Sequence, residues 1–249
     1  MADVSSFQTT SAPGRVRAAA VRLTALLEPF LRLLGNRTCL VCETELRRAA
    51  LGVCLCASCT RALLRLALAG PVQAPAVPRS GLLPGFAGLW AAYAYESPLR
   101  DCLLGYKFHG RWQFLVLLQR LFVKQAVSVL GAYRPHGLVP VPAALARSVL
   151  RGSDLPSALA RALSRQTGIA VVKALSRPPW GLRQTRKGRS DRLKLSRRGY
   201  RLRRREAVAG KRLLLIDDVL TTGGTARACA EVLLRGGACS VGVLVLARD

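Results

Sequence analysis

Residues 213–226, LLLIDDVLTTGGTA, constrain the fold of this chain more than any other stretch. Residues 213–216 are apolar without alternation, the pattern of a parallel strand buried on both faces. Such a strand delivers Asp217 and Asp218 to the carboxyl edge of an open α/β sheet, where these folds bind ligands. Thr221, Thr222, Gly223, Gly224 and Thr225 then make a small hydroxylated turn opening a helix over 224–235. Glycines let backbone N–H groups wrap an anion, and the helix dipole favours negative charge there. Two adjacent acids do not suit a phosphate. They do suit a ligand that also carries vicinal hydroxyls, because carboxylates accept from sugar hydroxyls and hold Mg²⁺. A ribose 5-phosphate meets both requirements; the plain alternative is a tight turn capped by its own acids.

The flanking sequence alternates in the same way. Strands are predicted at 89–95, 137–141, 169–175 and 240–247. Ser97 and Pro98 form a helix start, with Ser as N-cap and Pro at the first position. A second helix runs over 112–128. A third covers 153–166, capped by Ser153 or Asp154 and closed by Gly168. Helices between buried strands imply right-handed crossovers, and so an α/β fold with a parallel sheet flanked by helices.

Four segments follow. Residues 1–35 are an extension whose 15–34 portion has apolar side chains at helical spacing opposite arginines. That helix either packs on the next module or rests on a membrane surface. Residues 36–66 hold the cysteine pairs, 67–85 are a Pro- and Gly-rich linker, and 86–249 form the main domain. No stretch has the ~18 uninterrupted apolar residues of a membrane span, and no secretory signal is visible, so a cytoplasmic protein is expected.

Four of the eight cysteines form two C-x-x-C pairs, Cys39/Cys42 and Cys56/Cys59, 13 residues apart. The spacing predicts a structural Cys₄ zinc site closed to further ligands, with Cys54 as an extra candidate. So small a module has little core without its metal; redox use of the pairs is the alternative. Cys102, Cys229 and Cys239 read as small core residues.

The chain carries 39 Lys and Arg against 13 Asp and Glu, a net charge of +26. Part of this excess is consistent with GC-rich codon usage. Fourteen of the cations fall within residues 183–212. They suit a loop screening a diphosphate, salt-dependent binding of a nucleic acid backbone, or a solvated face. His109 and His136 lie in no convincing site, which argues against histidine-based chemistry.

The chain resembles the ComF family, whose members have a type I phosphoribosyltransferase fold behind an N-terminal zinc ribbon. The resemblance covers residues 36–248. It rests on the double C-x-x-C and on Y-K-F-x-G (Tyr106, Lys107, Phe108, Gly110). It continues through V-P-V-P (139–142) with Arg147, Arg151 and Gly152, the stretch 213–226, and the closing V-L-V-L-A-R. It implies that the Thr-Gly turn and acid pair bind phosphoribosyl pyrophosphate (PRPP) with Mg²⁺. It also implies that Arg147 and Arg151 hold the diphosphate and that Lys107 faces the site, although on the residues alone all three could be surface cations. The family is associated with DNA uptake in natural transformation, which implies single-stranded DNA or the uptake machinery as partners. The alternative is a phosphoribosyltransferase of nucleotide metabolism, displacing pyrophosphate with an unknown nucleophile. Gln184, Arg192 and Tyr200 keep the family register. Leu195 replaces an expected Asn, and Ser153-Asp154-Leu155 replaces Phe-Asn-Gln.

Overall fold

A computed structural model describes residues 38–46, 55–68, 72–73, 84–142, 154–177 and 199–249. Contacts divide the chain into two compact units, Met1–Cys56 and Ala57–Asp249. In the first, Thr38 and Glu45 form an antiparallel bridge around a tight turn. The Cys39 N–H donates to the Thr44 carbonyl and the Glu43 N–H to the Cys39 carbonyl, each at 2.8 Å.

The second unit opens with α1 (Ala57–Leu68) and is built on a five-stranded sheet of β1 (Val72–Gln73), β2 (Phe86–Ala94), β3 (Gly137–Pro140), β6 (Arg212–Leu220) and β7 (Ser240–Arg248). The order is β1-β2-β7-β6-β3, parallel except for β1, which pairs antiparallel with β2. A small antiparallel pair, β4 (Leu175–Ser176) and β5 (Arg201–Leu202), lies apart from it. Residues 213–216 of β6 and 243–247 of β7 are fully buried, as central parallel strands covered on both faces must be.

Strand alternation sorts these side chains into two layers. Leu213 and Leu215 join Val241, Val243 and Val245 in one cluster with Ala226, Cys229, Ala230 and Leu233 of α5 (Gly224–Arg235). The other face carries α3 (Phe114–Tyr133) and α4 (Leu155–Thr167). There Gly242 lets the Trp90 and Tyr133 rings approach: a Cβ would stand 2.8 Å and 3.0 Å from them. By length and composition α3 could cross a membrane, yet its Phe114, Leu118, Phe122 and Ala126 are fully buried within the protein. Side-chain amides tie its middle to neighbouring helices: Gln119 Nε2 donates to the Ala158 carbonyl at 3.1 Å and Gln125 Nε2 to the Ala67 carbonyl of α1 at 2.9 Å.

Several elements differ from the sequence expectations. Ser97 does not cap a helix; its hydroxyl bonds Asp101 Oδ2 at 2.5 Å, and α2 (Leu99–Phe108) starts after Pro98, which follows a cis peptide bond. The strand expected at 169–175 is reduced to a parallel bridge of Val171 with Leu138, followed by β4. The Ala174 N–H turns back to the Val172 carbonyl at 2.8 Å, and a three-residue turn of that kind ends extended pairing. Asp154 is the N-cap residue of α4, and Gly168, at φ 74°, closes it. Two residues of the 67–85 stretch form β1. Cys102 and Cys229 are buried as expected, whereas Cys239, after the Gly236-Gly237 turn, is exposed. The 15–34 helix lies outside the described residues.

Helix α2 sits on α3 where Gly105 meets Phe114; a Cβ on Gly105 would lie 2.6 Å from Phe114 Cε2. Overpacking costs ~1–3 kcal/mol and opposes the roughly 1 kcal/mol that Ala gains over Gly in a helix. Gly105→Ala is therefore expected to lose about 1 kcal/mol, read by urea unfolding. An unchanged or raised midpoint would show that α2 is free to shift off Phe114.

Candidate functional site

The site begins where β3 ends. Pairing of β3 with β6 stops at Pro140 and Ile216, and the Val141 N–H to the Ile216 carbonyl, 2.9 Å, closes it. The next rung would run from the Asp218 N–H to the Val141 carbonyl, but that N–H donates to Asp217 Oδ1 instead. Among the described residues strand β6 then runs on against β7 alone, with Asp217 opposite Val245, Val219 opposite Ala247 and Leu220 opposite Arg248. The two acids thus lie within β6, past the last residue paired on both sides, at the carboxyl edge.

Alternation sends the acids to opposite faces. Asp218 shares the α3/α4 face, and there Lys107 Nζ, from the last turn of α2, meets its Oδ2 at 2.6 Å. Asp218 Oδ1 accepts from the Val219 N–H at 2.7 Å and Asp217 Oδ1 from the Asp218 N–H at 2.8 Å. Asp217 shares the α5 face and is the more perturbed. Burial, then the Asp218 charge, push its carboxyl up to about 7, with Asp154 adding to the rise; the Asp218 N–H and Lys107 pull it down. Asp154 accepts from the Ser157 hydroxyl through Oδ2 at 2.6 Å. Its Oδ1 is buried with no hydrogen-bond partner among the described residues.

Beyond Leu220 the chain turns into α5. Gly223 takes φ 72° as N-cap residue, a left-handed conformation that favours glycine. No side chain caps this helix, which leaves its first-turn N–H groups to an anion. Thr221, Thr222 and Thr225 are exposed around it and Gly224 is partly buried.

The structure therefore gathers Lys107, Asp217, Asp218 and the Thr-Gly turn at one sheet edge. Arg147, Arg151 and residues 183–198 of the basic stretch lie outside the described residues. Sequence reasoning passed over Asp154 as anything but a cap, and took Tyr200 only as a register mark. Tyr200 is buried, and its phenol, raised mainly by burial, is near enough to feel Cys229 and Asp217. Cys229 is itself buried, and burial followed by the Asp217 charge hold its thiol well up. His136 has a backbone role: Nδ1 accepts the Arg212 N–H at 3.1 Å, at the start of β6.

Separately, the ligand atoms of Cys39, Cys42, Cys56 and Cys59 all lie within 4.8 Å of one another. Cys42 and Cys56 Sγ are 3.6 Å apart, near the about 3.8 Å of thiolates on one tetrahedral zinc. A hydrogen bond from Thr44, whose hydroxyl is 3.2 Å from the sulfur, lowers the Cys42 thiol. Four converging thiols are a donor set that fits zinc.

Residues 137–249 match the family model of the phosphoribosyl transferase domain. A DNA utilization protein, YhgH, of Salmonella typhimurium is 28% identical over 226 residues, which span 84% of this chain and 96% of that protein. The competence protein ComFC of Bacillus subtilis is 28% identical over 160 residues, 64% of this chain and 63% of that protein. A glutamine PRPP amidotransferase from B. subtilis overlays on 58% of this chain and 30% of its own, at TM-score 0.42 and 20% identity. The parallel sheet, the acid pair and the family match define a protein with a phosphoribosyltransferase-type domain. With the relatives added, these findings support a ComF-family, phosphoribosyltransferase-like protein.

The state of Asp217 can be read from stability. Its ordinary value is 3.8 and its folded value about 7, so folding takes up a proton between those limits and stability falls as pH rises through them. Asp217→Asn removes this term. Its melting temperature is expected to exceed that of the wild type at pH 8, the gap closing toward pH 5; a gap independent of pH would place the titration elsewhere.

Proposed function

We propose that the chain binds PRPP with Mg²⁺ at the carboxyl edge of β6 and acts in DNA uptake or utilization. The observation that carries the ligand reading is the pairing of an acid couple, unpaired on its β3 side among the described residues, with an uncapped helix start ringed by threonines. The turn would bind the 5-phosphate, and Asp217 and Asp218 the ribose hydroxyls. Mg²⁺ would supply charge for the diphosphate, held by oxygen ligands. Lys107 would balance the acids while the pocket is empty and turn toward the diphosphate once Asp218 is engaged. Arg147 and Arg151, from the segment after V-P-V-P, are the proposed diphosphate cations. The part in DNA handling rests on the names of the relatives, a DNA utilization protein and a competence protein, and on the +26 charge. Zinc at the four cysteines would be structural, since four thiolates leave no open position.

Two measurements test this. Calorimetric titration of PRPP with Mg²⁺ should show micromolar binding, and Asp217→Asn with Asp218→Asn should weaken it at least ~100-fold, as expected when two charged hydrogen-bond acceptors worth ~1.5–3 kcal/mol each are lost. Salt-dependent binding of single-stranded DNA should survive the double substitution; loss of both together would mean one shared site. No PRPP binding by the wild type would leave the fold as a scaffold. Metal analysis of protein purified without chelator should give one zinc per chain, lost on Cys42→Ser with Cys56→Ser. Finding no zinc in the wild type would defeat the zinc assignment.

A further inference from the structure

Helix α3 lies between two others. Its Gln119 reaches α4 and its Gln125 reaches α1. At 3.6 residues per turn these two amides leave α3 about 120° apart, so α1, α3 and α4 lie side by side with α3 in the middle. The side of α3 turned away from the core is not simply polar. Val116, Arg120 and Val127 are exposed there, fall within about 40° of one another and span about 16 Å. Val116 is 46% exposed and Val127 50%, and Trp112, in the turn leading into α3, is 72% exposed. Helix α1 repeats the pattern: Leu64 and Leu68, at 55% and 75%, alternate with exposed Arg61 and Arg65. Among the described residues, every large apolar side chain that stands exposed lies on α1, on α3 or in the segment 108–112 that enters α3.

Charge on these helices has one sign. Together α1, α3 and α4 hold six cations, Arg61, Arg65, Arg120, Lys124, Arg161 and Arg165, all of them exposed, and no Asp or Glu. Helix α5, on the opposite face of the sheet, does carry an acid, Glu231, which pairs with Arg227 at 3.2 Å. A face of cations alone would suit a nucleic acid backbone, but valine and leucine gain nothing from phosphates. An anionic bilayer surface takes both kinds of side chain. Its headgroups attract the cations, the long cationic stems lie along apolar surface, and the aliphatic groups enter the acyl boundary. A tryptophan at the end of such a stripe suits the same depth.

We propose that the outer face of α1 and α3, with the cations of α4 beside it, is a docking surface for an anionic lipid bilayer, on which the protein lies without spanning it. The inner side of α3 is committed to the core through Phe114, Leu118, Phe122 and Ala126, so only the outer stripe is left to enter lipid. The proposal goes beyond the phosphoribosyl reading and does not rest on it.

Vesicle flotation of the full chain at physiological salt tests it. Vesicles of phosphatidylglycerol mixed into phosphatidylcholine are expected to carry the wild type, and vesicles of phosphatidylcholine alone at least ~10-fold less. Val116→Ser with Val127→Ser is expected to weaken binding about 10-fold, as two half-exposed aliphatic side chains are lost from the lipid boundary. Arg120→Gln with Lys124→Gln is expected to weaken it about 10- to 30-fold. Attraction by the net charge of the chain alone, or attachment through residues 15–34, would leave the valine pair without effect. That result overturns the proposal, as does a wild type that floats with neither vesicle. Both valines are exposed, so their variant is expected to keep the wild-type urea midpoint; should it unfold, Leu64→Ser with Leu68→Ser is read in the same way. An equal loss of single-stranded oligonucleotide binding in the valine variant would make this face a nucleic-acid surface. Conversion of a wild-type dimer to a monomer by the same variant would make it an interface between copies of the chain. Either outcome overturns the membrane assignment.

Discussion

Among the described residues, strand β6 has a neighbour on each side only as far as Ile216, and the rest of the site depends on where that double pairing stops. The stop is chemical: Val141 donates the last bond to β6, and the Asp218 N–H that would return to the Val141 carbonyl donates to Asp217 Oδ1 instead. Strand β7, fully buried from Val243 to Ala247, keeps β6 straight for four residues more. Two acids can therefore be presented on a hydrogen-bonded strand and yet, among the described residues, have no strand partner on one side. On a loop the same carboxylates would have to be ordered by the ligand, at a cost to affinity.

Charge in the site runs against charge in the chain. A protein of net charge +26 gathers three carboxylates, Asp154, Asp217 and Asp218, within reach of one lysine among the described residues. Lys107 satisfies Asp218, and Asp217 answers its burial and the two neighbouring acids by holding its proton to about 7. Hydroxyl donors or a divalent cation at this edge would relieve the same repulsion. The basic surface can draw in a polyanionic ligand from a distance, while the acids select for the part of it that carries hydroxyls.

The cysteine cluster follows a different logic. Its turn is held by a few short backbone bonds around Cys39, and the described residues of the first unit offer only Cys39 and Leu40 to a core. With so little apolar area, metal binding and folding become one process. Helix α1, by contrast, belongs to the larger unit and is tied into it by Gln125, whose amide donates to the Ala67 carbonyl.

Much of this was written in local patterns. The apolar run 213–216 specified a doubly covered parallel strand, and α5 appeared over 224–235 as its caps and periodicity required. The two C-x-x-C spacings predicted a four-sulfur cluster, because each pair closes its own knuckle within a few residues. Strand alternation could even have told that Asp217 and Asp218 face opposite ways. The sequence could not tell which partner each would meet. Lys107 lies more than 100 residues before Asp218, and their meeting requires Gly105 to seat α2 on Phe114 of α3. Asp154 read as a cap and Tyr200 as an aromatic in register, yet packing put the first near Asp217 and the second in the buried cluster with Cys229. The strand expected at 169–175 failed for a similar reason: β-branched residues suggest extension, but a turn at Val172 closed by long-range pairing overrode them. Sequence alone thus determined the elements and the chemistry at the end of β6, because those depend on neighbours along the chain. The tertiary structure decided the protonation of Asp217 and the partner of Asp218, because these depend on burial and on groups brought together from distant segments.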